Sequence, residues 1–206
     1  MVRGYRPAGQ SRAVLTLKAA QALYRAQEAA LAAGYSLLVY DSYRPQKAVD
    51  SFVEWAKQPD SCAKCRRNYF PYLEHKLDAF RLPDRYVAPK SRHSGGSTVD
   101  LTIIRREETV HQPPVAMARQ LANNQTVHYL FDNSLDMYTS FDLMHYASWP
   151  EGHGLLPSAD HHPYLKNRHT LAKIMTDAGF VQLPREWWHF TLKEEPFPES
   201  FFDFDF

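Results

Sequence analysis

The chain has 206 residues, of which 44% are hydrophobic, so it is long enough for one domain with a buried core. Its 24 basic and 23 acidic residues leave a formal net charge of +1, and the basic residues are scattered, which excludes the charged footprint of a nucleic-acid-binding protein. No apolar run is long enough to span a membrane and no apolar signal segment opens the chain. We therefore expect a cytoplasmic protein, or a periplasmic one if the chain has been trimmed.

The first predicted elements are a helix, a strand and a second helix. Residues 17–33 are rich in alanine and leucine, with Thr16 as a candidate N-cap and Gly34 as a candidate stop. The apolar run 35–40 predicts a buried strand, and Pro45 suits the first turn of the helix that follows it. The apolar residues that share a face of this second helix are Val49, Phe52, Val53 and Ala56.

Arg44 lies at the junction between that strand and the second helix. Junctions of this kind often display functional side chains. Most charged residues are solvated, so a surface ion pair is the alternative interpretation of Arg44. The residues alone leave both interpretations open.

The next segment, residues 58–90, contains prolines and several aromatic residues, which predicts an irregular but packed excursion. It holds both cysteines of the chain, Cys62 and Cys65, in a C-x-x-C spacing. Such a pair is at most half of a structural zinc site, and the strand and helix that flank a thioredoxin-like redox motif are missing around it. We interpret the pair as incidental or as a local disulfide.

The stretch 91–104 joins a histidine, a Ser-Gly-Gly turn and a strand-like run that contains an aspartate. Apolar residues recur at every second position of the run, which leaves Asp100 on the opposite face with two threonines. Gly95 and Gly96 permit backbone angles that other residues resist, so the chain can fold back towards His93. Imidazole and carboxylate together suit zinc, and a catalytic zinc site usually takes three protein ligands. His93 and Asp100 are therefore two candidate ligands.

The C-terminal region supplies the third candidate ligand. A helix over residues 163–178 and a strand over 180–183 are predicted to precede a strand over 187–192, which contains His189. Glu186 lies three positions before His189, just outside that strand. A carboxylate there can stay off the metal and still reach a water bound to it, which is the position of a general base in metal-assisted hydrolysis.

Other conspicuous residues are assigned structural roles. Five further histidines have no ligand-like spacing to a carboxylate base, so we expect them not to bind the metal. They are His145, His153, His161, His162 and His169. Trp187 and Trp188 are interpreted as packing that shapes the site. The Phe-rich tail, residues 201–206, is expected to pack locally or to fray, with partner docking as the alternative.

Together these motifs resemble those of the M15 zinc peptidases, and most closely their D-alanyl-D-alanine dipeptidase branch. The pattern S-x-H-x-x-G-x-x-x-D ends at Asp100, and E-x-W-H follows far downstream and ends at His189. The segment 40–45 and the segment from Asp136 to Asp142 agree with the same family. The resemblance extends from about residue 5 to 192, and motifs of this kind rarely occur in the right order by chance.

The resemblance implies an α+β fold, in which a small central antiparallel sheet has helices packed on one side. It implies one zinc ion per chain, held by His93, Asp100 and His189. It also implies that Glu186 is the catalytic base and that Arg44 stabilises the developing oxyanion.

The resemblance further implies a substrate and its binding residues. Asp142 is expected to receive the free amino group of a dipeptide, and Ser91 to help line that pocket. Family members usually carry a further segment before the equivalent of Gly4 and Tyr5, where it helps to wall the pocket. The expected partner is a small D,D-dipeptide, cleaved to free D-alanine by a single zinc peptidase domain that spans residues 1–206.

Two alternatives stay open. One is an M15 D,D-carboxypeptidase or endopeptidase that acts on peptidoglycan stem peptides, and the other is a non-catalytic zinc-binding protein of the same fold. The presence of both Glu186 and Arg44 argues against a non-catalytic protein. Asp142 favours a dipeptidase, because a fixed negative charge near the pocket mouth rewards a free amino terminus.

Overall fold

The computed structural model describes residues 12–80, 86–157 and 163–205. Its helices are α1 (Leu17–Ala32), α2 (Gln46–Lys57), α3 (Ala63–Tyr69) and α4 (Tyr164–Asp177). Its strands are β1 (Tyr35–Asp41), β2 (Thr98–Arg105), β3 (Val115–Gln120), β4 (Thr126–Phe131), β5 (Phe180–Gln182) and β6 (His189–Leu192). The segment before Gly4 and Tyr5 lies outside the described residues. So do His161 and His162, which are predicted not to bind the metal.

The central sheet has four antiparallel strands in the order β1-β2-β6-β5. The apolar residues of β2 are fully buried, as the period of two predicts; they are Val99, Leu101 and Ile103. The polar residues on the other face of β2 are buried as well; they are Thr98, Asp100 and Thr102. The polar face of β2 is therefore enclosed within the protein, where a carboxylate needs partners.

Helices α1 and α4 share one hydrophobic core with this sheet. The core face of α1 consists of small residues at helical spacing, which let the helix approach its neighbours closely; they are Ala19, Ala22, Ala26 and Ala30. Thr16 is its N-cap and accepts a hydrogen bond from Ala19 N at 3.3 Å, as predicted. The α+β architecture is confirmed. None of the helices within the described ranges combines the length and apolar character that crossing a bilayer requires.

Several predicted elements differ in detail. Pro45 is the N-cap of α2 and not a residue of its first turn, and β1 is half-buried along its whole length. The segment 58–90 contains α3, and Cys62 is the N-cap of this helix. Cys62 also forms a disulfide with Cys65. Strands β3 and β4 form a separate hairpin sheet. The sequence did not predict this hairpin, because β3 is mostly exposed and carries no alternating apolar pattern.

Candidate metal centre and active site

Three acidic or imidazole side chains lie in one row across the central sheet. Asp100 on β2 pairs with His189 on β6 in the strand register, and with Asp41 on β1 on its other side. A bulge between Val39 and Asp41 shifts the register of β1, and this shift brings Asp41 level with Asp100. The strand register therefore brings two predicted ligands, Asp100 and His189, together on the polar face of the sheet.

His93 reaches the same point from a turn that precedes β2. The turn is a 3₁₀ helix, Arg92–Gly95, capped by the side chain of Ser91, which accepts a hydrogen bond from His93 N. Only the second glycine of the predicted turn, Gly96, adopts a positive φ, of 72°. His93 Nδ1 lies 2.7 Å from the carbonyl oxygen of Ser42. Donation to that carbonyl fixes the tautomer in which Nε2 carries a free lone pair.

The three ligand atoms of His93, Asp100 and His189 all lie within 4.8 Å of one another. Asp100 Oδ2 is 3.2 Å from His93 Nε2, and Asp100 Oδ1 is 3.0 Å from His189 Nδ1. These close approaches are not aligned as hydrogen bonds: His93 Nε2 and Asp100 Oδ1 are buried without a hydrogen-bond partner in the part of the chain that the structure describes. Two partnerless buried atoms in a donor set of two imidazoles and one carboxylate fit a divalent metal such as zinc.

The two neighbouring histidines favour the ionised form of Asp100. Burial alone would raise the pKa of Asp100, but the neighbouring His93 and His189 outweigh burial and hold that pKa well below its ordinary value. Asp100 is therefore ionised, as a metal ligand must be.

Glu186 lies beside the cluster, with Oε2 3.3 Å from His189 Nδ1. Burial raises the pKa of Glu186 to about 7, and the negative charges of Asp100 and Asp142 act in the same direction, whereas His189 and Arg44 oppose them. A carboxylate with a pKa near neutrality can both take up and release a proton, which is the requirement for a general base that later acts as an acid.

Arg44 is held at the edge of the cluster by Asp41. Its Nε donates to Asp41 Oδ2 at 2.9 Å and its Nη2 forms an ion pair with the same carboxylate, while Nη2 also lies 3.9 Å from Asp100 Oδ2. Burial would lower the pKa of Arg44, but the carboxylates of Asp41, Asp100 and Asp142 outweigh it and raise that pKa, so the guanidinium is charged. Arg44 thus forms an ion pair and lies beside the cluster; its functional role stays a prediction.

The two residues implied by resemblance alone have different settings. Asp142 is half-buried with a φ of 61°, and its charge acts on both Arg44 and Glu186, which places it at the site. The described contacts of Ser91 are those of a cap: its hydroxyl accepts from His93 N and its carbonyl from Ser94 N. Its lining of a substrate pocket stays a prediction.

Three of the histidines predicted not to bind the metal are described by the structure, and they lie elsewhere. His145 accepts a hydrogen bond from Ala147 N, His153 stacks on Tyr146, and His169 pairs with Glu151. The cluster of His93, Asp100 and His189 is the one group of metal-ligating side chains found among the described residues.

Sequence reasoning missed two contributors to the site. Asp41, which orients Arg44, carried a signal in the D-x-x-R spacing of the segment 40–45. The Ser42 carbonyl, which orients His93, carried none because every residue has a carbonyl. Trp187, interpreted from the sequence as packing, is buried in the turn before β6, and its Nε1 donates to Thr139 Oγ1 at 2.9 Å. The strand predicted over 187–192 begins only at His189.

Comparison with known proteins places these residues in a family context. A family model described as D-ala-D-ala dipeptidase, Peptidase_M15, matches residues 4–121 and 111–206, so the match includes the Phe-rich tail. A D-alanyl-D-alanine dipeptidase of Enterococcus faecium is 33% identical over 194 residues, covering 94% of this chain and 80% of the relative. Proteins of the same name from Streptomyces coelicolor and Enterococcus faecalis are each 34% identical, with the same coverage.

Proposed function

The chain belongs to the M15 peptidase family, and from this premise we propose that it hydrolyses the dipeptide D-Ala-D-Ala to free D-alanine, as a single domain over residues 1–206. The observation that carries the proposal is the buried cluster of His93, Asp100 and His189, with Glu186 3.3 Å from the last of these. Two histidines and an aspartate, with a further carboxylate beside them, are the groups expected in the active site of a metal-assisted hydrolase.

His93, Asp100 and His189 would hold one zinc ion per chain. The support is the donor set and the two buried atoms without hydrogen-bond partners. When bound, zinc polarises the scissile carbonyl and makes a water molecule more acidic. The Ser42 carbonyl would keep His93 in the tautomer that offers Nε2 to the metal.

Glu186 is the proposed base. It takes a proton from the attacking water, whose oxygen bonds to the peptide carbonyl carbon. The C–N bond then breaks as Glu186 passes the proton to the leaving amine, which balances the hydrolysis of one dipeptide to two molecules of D-alanine. A pKa near neutrality suits both transfers.

Arg44 and Asp142 are proposed to handle the charges of the substrate. Arg44 faces the oxyanion that develops on the carbonyl oxygen, and Asp41 fixes the direction of its guanidinium. Asp142 receives the ammonium group of the dipeptide, and Ser91 lines the pocket while it caps the turn of His93. The proximity of the Asp142 charge to Arg44 and Glu186 supports this arrangement.

The experiment compares free D-Ala-D-Ala with its N-acetylated form, together with zinc analysis of the purified protein. N-acetylation removes the positive charge of the substrate and leaves Asp142 without its proposed partner. We therefore expect kcat/KM for the N-acetylated dipeptide to be at least about 100-fold lower than for the free dipeptide. Asp142→Asn should impair cleavage of the free dipeptide far more than any residual cleavage of the capped one.

Two outcomes would redirect the assignment. Comparable kcat/KM on the free and capped dipeptides would favour a carboxypeptidase that acts on longer stem peptides. A protein that binds one zinc ion per chain but cleaves neither substrate would be a non-catalytic member of the fold.

A further inference from the structure

The C-terminal segment 197–205, here called the tail, lies against the two turns that carry Arg44 and His93. A single tail residue contacts both turns through its backbone. Phe202 N donates to the Ser94 carbonyl in the turn of His93, and Gln46 N, at the start of α2, donates to the Phe202 carbonyl; both distances are 2.9 Å. Phe202 therefore bridges the turn that carries His93 and the helix that begins just after Arg44.

The tail also supplies the N-terminal cap that α2 lacks. Pro45 stands at the N-cap position and makes no side-chain hydrogen bond, so the first N–H groups of α2 need acceptors from elsewhere. Gln46 N finds the Phe202 carbonyl, and Lys47 N donates to Asp203 Oδ1 at 2.7 Å. A carboxylate at this position also interacts favourably with the helix dipole.

Side-chain contacts fix the tail in register. The ring of Phe204 stacks on Tyr43 at 4.6 Å, and the Tyr43 hydroxyl both donates to the Phe204 carbonyl and accepts from Phe204 N. On the other turn, a Cβ built on Gly95 would lie 3.4 Å from the Ser200 carbonyl oxygen, an ordinary van der Waals distance, so the tail lies directly against this turn. Tyr43 and Gly95 are sequence neighbours of Arg44 and His93.

We infer that the tail is a positioning element: Phe202 and Asp203 set the spacing between the turn of Arg44 and the turn of His93. Two hydrogen bonds link the two turns directly: His93 Nδ1 donates to the Ser42 carbonyl at 2.7 Å, and Arg44 N donates to the His93 carbonyl at 3.3 Å. The tail adds a further, parallel connection on the side of α2. The catalytic consequence rests on the proposed function, since a misplaced charge donor or ligand slows a reaction whose geometry it sets.

The first experiment removes residues 200–206 and then restores them as a free synthetic peptide. Zinc affinity, the visible absorption spectrum of the Co²⁺-substituted protein and kcat on D-Ala-D-Ala are measured with and without the peptide. We expect zinc affinity to weaken about tenfold and kcat to fall about tenfold or more, with an altered cobalt spectrum. Saturating peptide should restore all three.

The second experiment is a matched pair of single substitutions, which removes the risk that the truncated chain does not fold. Asp203 accepts from Lys47 N, whereas Asp205 forms an ion pair with Lys47 Nζ and is 86% exposed. Asp203→Ala should lower kcat about three- to tenfold, whereas Asp205→Ala, with the same change of charge, should stay within about twofold. Asp203→Asn keeps the acceptor oxygen and should recover most of the loss.

The proposal is overturned if the truncated protein retains the zinc affinity, cobalt spectrum and kcat of the full chain, or if Asp203→Ala and Asp205→Ala behave alike. A purely structural role would lower the melting temperature of the truncated protein and leave those three properties of its folded fraction unchanged, which also overturns it. If the full chain hydrolyses no dipeptide, the proposed function fails, and zinc affinity and the cobalt spectrum still decide the role of the tail.

Discussion

Two buried polar centres in this protein are built in opposite ways. In the candidate metal site, His93 Nε2 and Asp100 Oδ1 have no hydrogen-bond partner among the described residues. The second centre surrounds Arg168 on α4, which is 1% exposed. Its guanidinium donates to one hydroxyl and four carbonyl oxygens; the acceptors are Thr139 Oγ1 and the carbonyls of Met137, Ala147, Trp149 and Pro150.

The difference indicates what each centre does. A buried polar atom without a partner costs about 1–3 kcal/mol, so two such atoms at a shared point in a set of imidazole and carboxylate donors fit a metal-binding role. Around Arg168, burial lowers the pKa to about 9, which still leaves the guanidinium charged at neutral pH, and its donors are engaged by the protein itself. This second centre is therefore structural.

The structural centre also supports the site. Arg168 gathers the carbonyls of the loop 137–150, which carries Asp142. Thr139 in that loop accepts hydrogen bonds from Arg168 Nη2 and from Trp187 Nε1, and Trp187 follows Glu186 directly. A fully satisfied centre thus holds the segments on which two proposed site residues lie.

The sequence predicted the two centres unequally. The ligand set of the site follows from local patterns: a period of two around Asp100, a turn after His93, and a glutamate three residues before His189. The Arg168 centre was not predicted, because an arginine in a helix normally points to solvent and because backbone carbonyls leave no trace in the sequence. The alignment of Asp41 with Asp100 was missed for a related reason, since it depends on a bulge in β1.

The largest expected effect separates catalysis from stability at the site. Glu186→Gln keeps the shape of the side chain but removes the proposed base, so we expect kcat to fall about 10²–10⁴-fold. Zinc content and the free energy of unfolding should not fall, because the substitution replaces a buried carboxyl group without removing a metal ligand. Steady-state kinetics, metal analysis and urea unfolding test this. Activity within a few-fold of the wild type would place the base elsewhere.

Arg168→Met should reduce stability more than it reduces catalysis. The substitution leaves several buried carbonyls without a donor, and we expect the free energy of unfolding to fall by about 3–5 kcal/mol in urea titrations. Lys173→Met is the control, because Lys173 lies on the same helix but forms an exposed ion pair with Asp177. An equal, small effect of the two substitutions would contradict a structural role for Arg168.

A titratable group, His145, lies next to the structural centre: its Nδ1 accepts from Ala147 N, and the Ala147 carbonyl accepts from Arg168. Burial lowers the pKa of His145 from 6.5 to about 4. Between these values the unfolded chain binds the extra proton, so the contribution of His145 is complete above about pH 6.5 and is lost as the pH falls towards 4, by about 3 kcal/mol. Unfolding free energies of the wild type and of His145→Gln, measured from pH 4 to 8, should differ in slope over this range. Parallel profiles would exclude this role for His145.

The smallest expected effect comes from two buried threonines, of which one hydroxyl is hydrogen-bonded and the other is not. The Thr139 hydroxyl accepts from Trp187 Nε1 at 2.9 Å, whereas the hydroxyl of Thr102, on β2, has no hydrogen-bond partner among the described residues. Thr139→Val leaves the indole N–H buried without its acceptor and removes one acceptor of Arg168 Nη2, so it should cost at least about 1–2 kcal/mol of unfolding free energy. Thr102→Val removes a hydroxyl that makes no bond and should be neutral or stabilising by up to about 1 kcal/mol. Thr139→Ser should restore most of the loss. If both valine substitutions have the same effect on urea unfolding, the contrast between satisfied and unsatisfied buried groups does not govern stability in this protein.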